Sequence, residues 1–127
     1  MDPWKSDYKS KQGNIGLGVA IAYFTSIGVP VMIPLNDTQS YDLVIDMENK
    51  LMRVSVKTTQ QKNKRGSYVT LLKRSGGNGK QTRLFDNTSC DLLFIFTKEG
   101  KRYLIPSNII TQKNSITLTK KLDKYIL

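Results

Sequence analysis

The chain has 127 residues, 39% of them apolar, which suits one domain with a single core spanning 1–127. Twenty Lys and Arg against ten Asp and Glu leave a net charge of +10, and such an excess points to a polyanionic partner, most often nucleic acid. Histidine is absent and Cys90 is the one cysteine, which excludes hydrolases with a His base and an intrachain disulfide, and argues against a structural zinc site.

No segment approaches the ~18 apolar residues of a membrane span, and no basic amphipathic helix stands out, so no membrane role is expected. Met1 to Gln12 is mostly polar, carries Lys5, Lys9 and Lys11, and lacks an apolar signal-like run. It reads as a mobile or loosely docked arm. A lone cysteine fits the reducing cytoplasm, and Cys90 reads as a small buried residue rather than a nucleophile.

Gly13 to Ser26 reads as the first helix, with Asn14 as N-cap and Gly28 as the C-terminal stop. Ile15, Val19, Ala22 and Tyr23 fall at helical spacing, with Ala20 and Phe24 beside them, so one face must pack on a sheet. Gly13, Gly16 and Gly18 follow no strand and precede no Gly-Lys-Ser/Thr, so they suit tight helix packing rather than phosphate binding. Val29 to Ile33 is a short strand, and Pro30 places it at an edge or a strand start. Pro34 to Ser40 is a polar loop. In it Asp37 is either a second metal ligand or a loop cap, and Gln39 either meets DNA or braces the turn.

Tyr41 to Thr59 reads as two strands joined by a tight polar turn at Glu48-Asn49-Lys50. Leu43 and Ile45 alternate with Asp42, Val44 and Asp46. Met52, Val54 and Val56 alternate with Arg53, Ser55 and Lys57. With Leu43, Ile45, Val54 and Val56 on the core face, Asp42, Ser55 and Lys57 share the other, open face; a one-residue slip would bury two charges. A turn at Glu48-Asn49 sets Asp42 opposite Ser55, and one centred on Asn49-Lys50 sets it opposite Lys57. Either way the groups lie within roughly 5 to 8 Å. A carboxylate, a hydroxyl and an ammonium in that arrangement suit metal-assisted phosphodiester hydrolysis. The same spacing also describes a surface Asp–Lys cross-strand pair worth under ~1 kcal/mol.

Gln60 to Gly66 is polar and holds Lys62, Lys64 and Arg65, and Ser67 to Leu72 is expected as a third partner of the hairpin. Lys73 to Arg83 is a glycine-rich basic loop. Its Lys73, Arg74, Asn78, Lys80 and Arg83 either follow a phosphate backbone or decorate a solvated connector. Asp91 to Thr97 contains the continuous run Leu92 to Phe96, typical of an interior strand. A turn at Lys98 to Lys101 leads to a return strand, Arg102 to Ile105. Ser107 is the expected cap of a short helix at Asn108 to Thr111. Ile116 and Leu118 begin a last strand, and Leu122, Tyr125 and Ile126 in the basic tail can dock or pair subunits.

The hairpin resembles the core of the PD-(D/E)xK nucleases, with Tyr41-Asp42 standing for "PD" and Ser55-Val56-Lys57 for "(D/E)xK". The nearer resemblance is to group I intron-associated PD-(D/E)xK homing endonucleases. It rests on Gly13-Asn14-Ile15-Gly16, on Pro34 to Gln39, on Tyr41-Asp42-Leu43 and on Val56-Lys57-Thr58-Thr59. It continues through Gly76-Gly77-Asn78 to Tyr103-Leu104-Ile105-Pro106 and covers most of the chain. It implies an α/β fold with a restriction-endonuclease-like core: a mixed, mostly antiparallel sheet carrying a packed N-terminal helix. It also implies a Mg²⁺-dependent endonuclease acting on double-stranded DNA. Asp42 would then be the principal metal ligand, Ser55 a weak or water-mediated one, the Val56 carbonyl a further one, and Lys57 would orient water or stabilise charge. Two positions depart from the family pattern: Ser55 stands where it has Glu, Asp or Gln, and Leu17 where many members carry a helical Glu. These departures favour the alternative of a DNA-binding module with little catalysis. A basic RNA-binding protein is a third reading, disfavoured because pure binding has no need of Asp42. A small domain reading a long site needs several copies, so a homo-oligomer is expected.

Overall fold

The computed structural model describes residues 2, 4, 5, 9–36, 38–73 and 83–127. At its centre is the hairpin formed by β2, Leu43–Met47, and β3, Lys50–Thr59. Its register, Leu43 to Val54 and Met47 to Lys50, leaves Glu48 and Asn49 as a two-residue turn. Both turn residues have positive φ, 54° and 64°, as a two-residue hairpin turn that matches strand twist requires. This selects the first of the two turns left open by the sequence.

A five-stranded sheet grows from that hairpin in the order β1-β2-β3-β5-β6. The edge strand β1, Val31–Met32, pairs antiparallel with β2, and Pro30 lies just outside it. The apolar strand β5, Leu92–Thr97, runs parallel to β3, and β6, Arg102–Pro106, closes the other edge antiparallel to β5. One parallel pair among antiparallel ones makes the sheet mixed and mostly antiparallel, as the sequence led us to expect.

The strand after the hairpin departs from expectation. Strand β4, Val69–Leu71, meets the hairpin's continuation through a bridge between Lys62 and Tyr68 and through bonds of Val69 to Thr59 and Gln61, but it pairs as a strand with β7, Ser115–Thr117, in a separate two-stranded sheet. The place beside β3 goes to β5, whose side chains are buried on both faces. An interior position rewards the apolar run of β5 more than the mixed sequence of β4.

The helix α1, Lys9–Ser26, covers one face of the sheet. It begins four residues earlier than predicted, so residues 9–12 are helical rather than part of an arm, and Asn14 lies inside the helix rather than capping it. Its inward stripe is Gly16, Ala20 and Phe24, with Ala22 exposed, a small rotation from the predicted face. Of the three glycines proposed for close packing, only Gly16 serves it. A Cβ there would stand 2.3 Å from Thr58 Cγ2, whereas Gly13 and Gly18 have open space. Leu43, Ile45, Val54, Leu92 and Phe94 complete this core, and the Trp4 ring lies 6.1 Å from that of Phe96.

The opposite face is covered as well. Tyr68, Leu72, Phe85, Leu93, Ile95, Tyr103, Ile105, Ile110, Ile116 and Leu118 form a second core beneath the small sheet. Cys90 joins it at 2% exposure, and burial pushes its thiol pKa up, as expected of an inert packing residue. Ser107 does not cap a helix. It begins a 3-10 turn, Ser107–Ile109, and its hydroxyl donates to the Cys90 carbonyl. The tail docks within the chain: Leu122 and Tyr125 pack on the second core, and the Leu127 N–H donates to the Arg102 carbonyl at 2.8 Å.

Candidate active site

The register of the hairpin, carried one residue beyond the Leu43–Val54 pair, brings Asp42 beside Ser55. The Asp42 N–H donates to the Val54 carbonyl at 2.9 Å, and the Val56 N–H donates to Asp42 Oδ2 at 2.7 Å. One carboxylate oxygen is thus fixed on the backbone of β3. Asp42 is exposed, while Leu43 and Ile45, which follow it into β2, are fully buried and anchor the strand.

Ser55 and Lys57 lie on the face away from α1, as the alternation predicted. That face is not open, because the small sheet and the 83–89 loop rise over it. Ser55 is only 5% exposed. It lines a cleft of about 270 Å³ with Lys57, Ser40, Arg83, Asp86 and Ser89. The cleft therefore joins a hydroxyl and an ammonium from β3 to a guanidinium and a carboxylate from the loop. Asp42 stands outside its lining.

Two contacts fix the loop against the strands. The Ser40 hydroxyl donates to the Ser89 carbonyl at 3.1 Å. Arg53 joins β3 to the start of β5: its N–H donates to Asp91 Oδ2 at 2.7 Å, its Nε reaches the same oxygen at 3.3 Å, and its Nη2 donates to the Thr88 carbonyl at 3.0 Å. Arg53 holds the Asp91 carboxyl below the usual carboxylate range, first by its side-chain bond and then by its backbone N–H. Asp86 is also held low, by the hydroxyl and N–H of Thr88, both bonded to Oδ1.

Ser40, Asp86 and Ser89 were not singled out from sequence. The signal was present in Asp86-Asn87-Thr88-Ser89, a turn-forming run just before the most apolar strand. Of the residues proposed for nucleic acid, Arg83 reaches the cleft, and Lys64, Arg65 and Lys73 are exposed. Lys62 is ion-paired with Glu99 at 2.6 Å and stands over the Tyr68 ring. Gln39 donates to the Asn36 carbonyl and so braces its turn. Asp37, Arg74, Asn78 and Lys80 lie outside the described residues.

The oxygen donors at the hairpin, namely the Asp42 carboxylate, the Ser55 hydroxyl and the Val56 carbonyl, are of the hard kind that Mg²⁺ prefers. The set is sparse in charge: among the described residues no three His, Cys, Asp or Glu come together. Leu17 packs against the helix-side core and supplies no ligand.

A mixed five-stranded sheet with a helix packed behind it is the architecture of a restriction-endonuclease-like fold. The sequence matches the PD-(D/E)XK endonuclease family over residues 8–124, and the chain belongs to that family. Among solved structures it is similar to a bacterial homing endonuclease, I-Ssp6803I, with a TM-score of 0.76 and 28% identity, over 88% of this chain and 78% of that one. A weaker likeness, to MepB, has a TM-score of 0.48 and 12% identity over 87% of this chain and 95% of that one. No curated protein sequence matches the chain. Among the described residues no helix is long and apolar enough to cross a membrane.

Proposed function

We propose that the chain is a Mg²⁺-dependent endodeoxyribonuclease of the homing type, associated with a group I intron and cutting double-stranded DNA in the cytoplasm as a homo-oligomer. The observation that carries this is the convergence of Asp42, Ser55, Val56 and Lys57 at one end of the hairpin, in a protein of this family and of net charge +10. Asp42, Ser55 and the Val56 carbonyl would hold the cation. When bound, it supplies charge that offsets the phosphate and eases ionisation of a water. The Val56 N–H keeps the Asp42 carboxylate aimed, so little reorganisation accompanies binding. Lys57, half-buried in the cleft wall, places its ammonium where a phosphate bordering Ser55 gains the most from it, because partial exclusion of water strengthens the attraction. Arg83, across the cleft, draws in the strand being cut. A domain this small reads a long site only by acting in several copies.

A second reading has a specific observation behind it. With a neutral Ser55 and an apolar Leu17, the site carries less charge than its family pattern, as in a DNA-binding module with weakened catalysis. Incubation of wild type, Asp42→Ala and Lys57→Ala with supercoiled plasmid and Mg²⁺ separates the two. Nicking by wild type alone is the expected result. Cleavage that survives both alanine changes overturns the site, and binding without cleavage by any of the three favours the second reading.

A further inference from the structure

Beyond the cleft, β3 continues into a segment that the chemistry so far leaves unused. Residues Thr58, Gln60 and Gln61 line a groove of about 300 Å³ with Gln12 of α1 and with Val69 and Leu71 of β4. Among the described residues its lining carries three primary amides and no ionised group, in a protein of net charge +10. Phosphates call for cations, whereas amides, each with a donor and an acceptor, match the edges of bases.

The segment is also braced. The Gln61 N–H donates to Thr59 Oγ1 at 3.3 Å, and the Gln61 carbonyl accepts the Val69 N–H at 2.9 Å. Farther out, the Asn63 N–H donates to the Ser67 carbonyl at 2.9 Å, and Asn63 Oδ1 accepts from the N–H groups of Arg65 and Ser67 at 3.0 Å each. The Lys62–Glu99 ion pair ties the turn to the β5–β6 corner. The result is a closed prong with exposed Lys64 and Arg65 at its tip and amides at its base. Exposed Gln61 and half-buried Gln60 are carried on a backbone held from both sides.

We infer that this prong reads sequence: Lys64 and Arg65 grip phosphates while Gln60 and Gln61 address base edges in the major groove, with adenine the preferred base. Gln pairs bidentately with adenine N6 and N7, and the apolar Val69 and Leu71 beside it suit a thymine methyl. Lys57 and Gln61 are four residues apart along an extended chain, about 13 Å at the usual strand rise. With base steps of about 3.4 Å, the contacted pairs lie about four steps from the phosphate at Lys57. The inference rests on the DNA-cutting role proposed above and adds to it the residues that choose the site.

The experiment selects duplexes with a randomised core against the intact protein in Ca²⁺, then measures affinity and salt dependence. Wild type should enrich A·T pairs in one short segment, about four base pairs from the cut made in Mg²⁺. The Gln60→Ala/Gln61→Ala protein should lose that preference, with roughly tenfold weaker binding to the selected site. Its affinity for unselected DNA, salt slope and melting temperature should match wild type. Lys64→Ala/Arg65→Ala should do the opposite, weakening all sequences alike and flattening the slope by about two while keeping the preference. Gln61→Glu, of nearly equal volume, should move the preference from adenine toward cytosine. An unchanged preference in the double Gln variant overturns the inference and leaves the nuclease reading standing, as does wild-type binding without any preference. Failure of wild type to bind DNA at all overturns both.

Discussion

The Val56 N–H donates to Asp42 Oδ2 at 2.7 Å, so the backbone of one strand aims the carboxylate of the next. The exposed Asp42 is thereby held in place at little entropic cost when a cation arrives. Asp42→Asn keeps an oxygen acceptor for that N–H but removes the charge. It should fold as wild type, bind Mn²⁺ weakly and cut DNA about 10²-fold more slowly or worse. Calorimetric titration with Mn²⁺ beside a plasmid assay checks this. Metal affinity equal to wild type would remove Asp42 from the site.

Ser55 is almost fully buried in the cleft wall. Ser55→Glu adds a carboxylate beside Asp42, where the family pattern has one. Without metal the new charge is poorly solvated and repelled by its neighbour, so the melting temperature should fall. Mg²⁺ should then raise it more than in wild type, by linkage, and cleavage should persist or increase. Thermal melts with and without Mg²⁺ decide the matter, and an identical metal-induced shift in the two proteins would count against Ser55 as a ligand position.

Gly16 meets Thr58 where α1 crosses β3. Helix propensity alone favours Gly16→Ala by about 1 kcal/mol. The contact opposes it, because a Cβ would lie 2.3 Å from a short, stiff side chain with Val56 Cγ1 behind it at 3.4 Å. Overpacking should win, with a net loss of about 1–2 kcal/mol in urea unfolding. Thr58→Ser deletes the offending methyl and should restore most of that loss in the double variant. Additive effects in this cycle would show that the contact does not limit the approach of α1.

Asp91 titrates below its ordinary value of 3.8 because Arg53 bonds its charged form. A depressed carboxylate contributes stability that is present above the unfolded pKa and is lost as the pH falls through the lower folded value. Asp91→Asn should therefore be less stable than wild type at neutral pH, with the gap closing as the pH drops below about 4. Both groups are more than a third exposed, so the effect is modest. A gap that stays constant from pH 7 to pH 3 would assign the loss to packing instead.

Much of this protein is determined by local pattern. Alternation along Tyr41 to Thr59 placed Leu43, Ile45 and Val54 on one face and Ser55 and Lys57 on the other, because a one-residue slip buries charge. The unbroken run Leu92 to Phe96 announced an interior strand, and the absence of histidine narrowed the chemistry to carboxylate, metal and lysine. Tertiary structure alone decided what lies next to what. The two-residue turn at Glu48-Asn49 chose Asp42 opposite Ser55, a matter of backbone twist that composition leaves open. Strand β5 took the place beside β3 and sent β4 to β7, because long-range pairing follows total burial rather than nearness in sequence. That exchange lifted the 83–89 loop over the hairpin. It turned an expected open face into a cleft and brought Arg83 and Asp86 to Ser55 and Lys57 from about thirty residues away, a juxtaposition no local periodicity encodes.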